Sequence, residues 1–132
     1  MEKQKKVYAV DFDGTLCRGS RYPTIGQPNY YLIEFLKERR NQGDTVILWT
    51  CREGKLLEDA VNWCKKYGLE FDYINENTEH NKKKFKNDCR KIYADYYIDD
   101  HNMTVNDLTV KSAGLDNTIW QRSLAMMCKE YE

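Results

Sequence analysis

Four short apolar runs punctuate the chain: Lys6–Phe12, Thr45–Thr50, Glu70–Asn75 and Tyr96–Asp99. Each is too short for a helix and rich in β-branched or aromatic residues, so each predicts a strand. In the first two, the apolar residues are nearly continuous rather than alternating, the pattern of strands covered on both faces. Between the runs the period lengthens. Tyr31, Leu32, Phe35 and Leu36 share a helical face that Pro28 and Asn29 can open and Gly43 closes. Leu56, Leu57, Ala60, Val61, Cys64 and Tyr67 recur at helical spacing until Gly68. Residues 79–90 form a third, more polar helical pattern, and a last helix is expected from Asn117 to Lys129 with Asp116 as its cap.

Strands alternating with helices predict an α/β protein: a three-layer, Rossmann-like fold with a central parallel sheet and right-handed crossovers, built as one domain over residues 1–132. In such sheets ligands bind beyond the carboxyl ends of the strands. Here those ends read DFD, LWT, IN and IDD, so most of the reactive groups fall on one edge.

Composition narrows the class. With 132 residues, 41% hydrophobic and 32% charged, the chain can bury a core without staples. Twenty-one basic and twenty-one acidic residues cancel, so no overall field draws the protein to a membrane or to long nucleic acid. The opening MEKQKK precedes only four apolar residues, too few for a signal-peptide core or a span, and a cytoplasmic location is expected. Five cysteines, an odd number without a CxxC pair, argue against a disulfide framework or a structural zinc site.

The carboxylates carry the chemistry. If the first and fourth runs are neighbouring strands, Asp11, Asp13, Asp99 and Asp100 crowd together. A like-charged pair at 4 Å costs on the order of 4 kcal/mol at an effective dielectric near 20. Ionised, the cluster needs a cation, and hard oxygen ligands favour Mg²⁺. Gly14 allows a sharp turn after Asp13, and its backbone N–H groups can form a nest for phosphate. Thr50 adds a hydroxyl and an N–H on the same edge. A carboxylate nucleophile, a second carboxylate as acid and base, a metal and a lysine are the parts of phosphate-ester hydrolysis through an aspartyl-phosphate.

DFDGTL, a strand ending in Thr50, a lysine and then IDD resemble the signature motifs of the haloacid dehalogenase (HAD) superfamily, over residues 7 to 100. The resemblance implies that Asp11 is the nucleophile and Asp13 the acid/base. It implies that Asp11, the Asp13 main-chain carbonyl and Asp99 hold Mg²⁺, with Asp100 in support, and that Thr50 binds the transferring phosphoryl group. For the lysine, RKIYADYYIDD resembles capless HAD deoxyribonucleotidases and favours Lys91, with Lys86, Lys84 and the rest of the 82–86 run next. Gly14, Thr15, Cys51 and Arg52 are the candidate substrate-binding positions; the alternative for Arg52 is a surface pairing with Glu53 or Glu58. The TCR segment also resembles the phosphatase half of polynucleotide kinase–phosphatases.

The spacing leaves no room for a cap domain, so a capless enzyme is expected, its open site covered by a large substrate, by a second copy of the chain or by the 17–28 loop. The expected partner is a phosphorylated substrate, small or macromolecular, with nucleotide or polynucleotide phosphate first. The competing class is a non-catalytic, regulatory phosphate-binding module, which would dispense with Asp11 or Asp13; both are present.

Overall fold

The computed structural model describes residues 4–108 and 117–130. They fall into two compact units, Met1–Asp100 and His101–Glu132. In the first, the element order is β1 (Val7–Val10), β2 (Cys17–Arg18), β3 (Gln27–Pro28), α1 (Tyr30–Asn41), β4 (Thr45–Leu48), α2 (Gly54–Lys66), β5 (Tyr73–Ile74), α3 (Glu79–Phe85) and β6 (Tyr96–Ile98). The second holds a 3₁₀ turn at Val105–Leu108 and α4 (Asn117–Glu130). The expected cap at Asp116 lies outside the described residues. Among the described residues no helix is long and apolar enough to cross a membrane.

The fold is α/β, with a four-stranded parallel sheet in the order β5-β4-β1-β6. Strand periodicity divides its side chains between two cores. Tyr8, Val10, Val46 and Leu48 point to one face and pack with Ile33 and Leu36 of α1 and Ala60 and Cys64 of α2. Ala9 and Ile47 point to the other, where Ile92 and Ala94 cover them. Helices α1 and α2 thus form one outer layer, and the chain from α3 to Ala94 the other. The two nearly continuous apolar runs became the two interior strands, as covering on both faces requires.

Three aspartates pin the edge at which the strands begin. Asp44 accepts the N–H of Lys6 at 2.9 Å, Asp72 that of Val46 at 2.8 Å, and Asp95 that of Val7 at 2.7 Å. Asp72 and Asp95 also return their own N–H groups to the Val46 and Val7 carbonyls, and Arg40 forks onto the Asp72 carboxylate.

Three expectations needed correction. Helical residues stop at Phe85 rather than 90, because Lys86 turns left-handed (φ 57°) and caps the helix. Pro28 does not open α1; it pairs in β3 against Cys17, and Asn29 caps the helix by accepting the Leu32 N–H. The 17–28 stretch, expected as a loop, is therefore a small antiparallel hairpin with a loop at its tip. Gly26 fits there because a Cβ would run into the Arg18 carbonyl.

Candidate functional site

The central strand β1 delivers Asp11 to the carboxyl edge, its N–H bonded to the Ile98 carbonyl of β6 at 2.9 Å. Beyond it the chain folds back tightly. The N–H groups of Thr15, Leu16 and Cys17 all converge on the Phe12 carbonyl at 3.0–3.2 Å. Of the turn amides expected to form a phosphate nest, those of Thr15, Leu16 and Cys17 close the turn from within. Gly14 sits at φ +80°, and a Cβ there would run into the Asp100 carboxylate. Its lack of a side chain is what lets the turn approach β6. Thr15 is buried; its hydroxyl accepts the Asp100 N–H at 3.1 Å and lies 3.4 Å from both the Asp11 and the Asp100 carboxylates.

Asp11, Asp99 and Asp100 each bring a carboxylate oxygen within 4.8 Å of the others. Burial first, and then the neighbouring Asp99, push the Asp11 carboxyl up to about 6, with Asp100 adding to the rise and the Phe12 N–H opposing it. An acid so burdened holds its charge far more readily beside a cation. Three hard oxygen donors and no thiolate or imidazole among them fit Mg²⁺.

Asp13 stands apart from this cluster, contrary to the expected convergence of all four carboxylates. Its oxygens take a fork from Arg52, Nε to Oδ2 and Nη2 to Oδ1, both at 2.8 Å. Arg52 is 1% exposed. It is neither a surface arginine paired with Glu53 or Glu58 nor open to solvent for a substrate. Its guanidinium lies between the rings of Phe12 and Tyr22, 5.0 and 5.1 Å from their centroids, and donates to the Pro23 carbonyl at 2.9 Å. The hairpin tip, strand-end turn and α2 entry are thereby tied to one side chain. Bidentate, with the guanidinium buried and the carboxylate part-exposed, this is the stronger class of ion pair, and the Asp13 carboxylate raises the Arg52 pKa further.

Thr50 follows β4, where its N–H donates to the Asn75 side chain at 2.8 Å and its hydroxyl accepts the Arg52 N–H at 3.1 Å. The hydroxyl hydrogen remains to be given. Asn75 holds φ 54°, a conformation Asn tolerates better than most residues; that tolerance was the available sign of its role. Cys51 is exposed beside them. Of the lysines, Lys82 is paired with Glu76 at 2.7 Å and Glu79 at 3.3 Å, Lys84 lies over the Phe85 ring, and Lys86 is the helix cap. Lys91 lies 6.0 Å from the centroid of Tyr97, which is two residues before Asp99 in the chain. It forms no ion pair among the described residues.

Neither a family model nor a curated protein matches the sequence. Among solved structures, a conserved protein coded by a locus from Bacteroides thetaiotaomicron is 36% identical, over 98% of this chain and 93% of that one, with a TM-score of 0.65.

Proposed function

The chain belongs to the same family as that Bacteroides thetaiotaomicron protein, and from its own residues we propose that it is a Mg²⁺-dependent phosphomonoester hydrolase of the haloacid dehalogenase type. One observation supports the reading above the others: Asp11 of DFD meets Asp99 and Asp100 in an all-oxygen set suited to a hard divalent cation. Asp11 is crowded by Asp99 and Asp100, whereas Asp13 is forked by a guanidinium. A cation held by the three carboxylates favours the ionised form of Asp11 that a nucleophile must have.

Asp11, Asp99 and Asp100 are the side chains that would hold Mg²⁺, which when bound neutralises charge on a phosphoryl oxygen. A carboxylate oxygen of Asp11 attacks phosphorus. The ester P–O bond breaks, and its electron pair leaves on the alcohol oxygen, which takes a proton from Asp13. For Asp13 to carry that proton, the Arg52 fork on its two oxygens has to open. Asp13, now a carboxylate, takes a proton from a water whose oxygen attacks the phosphorus. The bond to Asp11 breaks, phosphate leaves and Asp11 is restored. Thr50 supplies its hydroxyl hydrogen, and Lys91 an unpaired ammonium, to the phosphoryl oxygens. The substrate class we assign is a nucleotide or polynucleotide phosphate in the cytoplasm.

Purified protein should hydrolyse an aryl phosphate with Mg²⁺ and stop on addition of EDTA, and Asp11→Asn should be inactive while folded. Turnover that ignores EDTA, or an active Asp11→Asn protein, rejects the assignment.

A further inference from the structure

A cavity of about 500 Å³ lies at the other edge of the sheet, where Val7, Thr45 and Tyr73 begin β1, β4 and β5 and α3 passes over them. That is within the usual size of small-molecule sites, roughly 300–1,000 Å³. None of the groups assigned to hydrolysis lines it.

Its telling residue is Asn81 on α3. Asn81 is 8% exposed and lines the cavity. Its main-chain N–H is used, donating to Thr78 Oγ1 at 3.2 Å. Its carboxamide has no partner among the described residues. Asn77, nearby in sequence, shows the contrast: its amide donates to Asp88 at 2.9 Å and accepts the Tyr93 N–H at 2.8 Å, holding the backbone together. No contact of the fold uses this carboxamide, and its polar atoms are not sealed off but open to the cavity. It has a donor and an acceptor side by side to offer to whatever enters.

The walls restrict what that is. Tyr73, Phe85 and Tyr93 supply aromatic surface, and Phe85 and Tyr93 are 56% and 49% exposed. Charge comes from Lys5, which gives a hydrogen to the Gln42 carbonyl at 2.6 Å, and from Lys84, 5.4 Å from the Phe85 ring centroid. The acidic member of the lining, Asp95, already accepts from the Val7 N–H at 2.7 Å and the Tyr93 hydroxyl at 3.2 Å. Flat apolar walls, the Asn81 carboxamide and two ammonium groups form a complementary set, with Gln4 and His80 also in the polar lining.

We propose that this cavity is a second ligand site that takes a mononucleotide. The base edge pairs with the Asn81 carboxamide, the ring stacks on the aromatic side chains, and the phosphate meets Lys84 and Lys5. The site is independent of the proposed hydrolase centre.

The test is calorimetric titration of the full chain in EDTA with AMP, GMP, CMP, UMP, adenosine and inorganic phosphate. At least one of the mononucleotides should bind at one per chain, with equal affinity for the wild type and for Asp11→Asn. Asn81→Leu, of nearly the same volume, should weaken that binding by roughly tenfold or more while leaving the thermal midpoint in place; Asn81→Ser serves if leucine disturbs α3. Lys84→Glu should weaken the nucleotide but not the nucleoside. Failure of all four mononucleotides to bind overturns the proposal. So does binding that survives both Asn81 substitutions, inorganic phosphate binding as tightly as the nucleotide, or loss of binding in Asp11→Asn, which would place the ligand at the carboxylates.

Discussion

Replacing Asp11 by Asn should make the metal-free protein more stable, although it removes the proposed nucleophile. In the folded protein the Asp11 carboxyl is pushed from the usual 3.8 to about 6, first by burial and then by Asp99. At 1.36 kcal/mol per pKa unit, a shift of that size corresponds to an upper bound of about 3 kcal/mol. Asp11 is only half-buried, and solvent screening brings the expected gain to about 1–2 kcal/mol. The sign follows from linkage: a folded-state pKa above the unfolded value gives stability that is complete below pH 3.8 and lost as pH rises through about 6. The asparagine keeps an acceptor for the Phe12 N–H and carries no charge at any of these pH values. Urea unfolding of both proteins in EDTA should therefore give equal stabilities near pH 4, and a gap favouring Asp11→Asn that opens towards pH 7. Saturating Mg²⁺ should then raise the wild-type midpoint and leave the variant's unchanged. An asparagine variant no more stable than wild type at pH 7, or a gap independent of pH, refutes the electrostatic account of the cluster.

Arg52→Ala should cost about 2–4 kcal/mol in urea unfolding, since it strips a buried fork from a carboxylate that can partly rehydrate; a loss below 1 kcal/mol, read against that scale, would mean the pair is not holding the hairpin tip. Gly14→Ala should weaken Mg²⁺ binding measured by calorimetry, because the new Cβ displaces Asp100; unchanged affinity would remove Asp100 from the ligand set. Asp72→Ala should destabilise by about 1–3 kcal/mol through the orphaned Val46 N–H, with the metal affinity unaltered; a variant as stable as wild type would show that β4 does not depend on that bond.

Periodicity carried the architecture because burial on two faces leaves no alternation to misread: the continuous runs at residues 7–10 and 45–48 became the interior strands. It also carried the Asp11, Asp99 and Asp100 convergence, since adjacent parallel strands bring their ends together. What it could not carry were partners far apart in sequence. Nothing local to TCREG says that Arg52 turns inward to Asp13, 39 residues away. The turn amides likewise close on Phe12 through geometry that DGT alone leaves open. The third helix was overextended because the lysine run continues through Lys86, whose left-handed backbone carries no signature in its side chain.

The aspartates ahead of β4, β5 and β6 have a consequence for how this scaffold can change. A slip of one residue in a parallel strand would turn its buried side chains to the wrong face, and Asp44, Asp72 and Asp95 guard against that from the end remote from Asp11. Alignment of the strands is thus decoupled from the residues that do chemistry. Substitutions at the reactive rim can be sampled, by evolution or by an engineer, without the sheet losing its place.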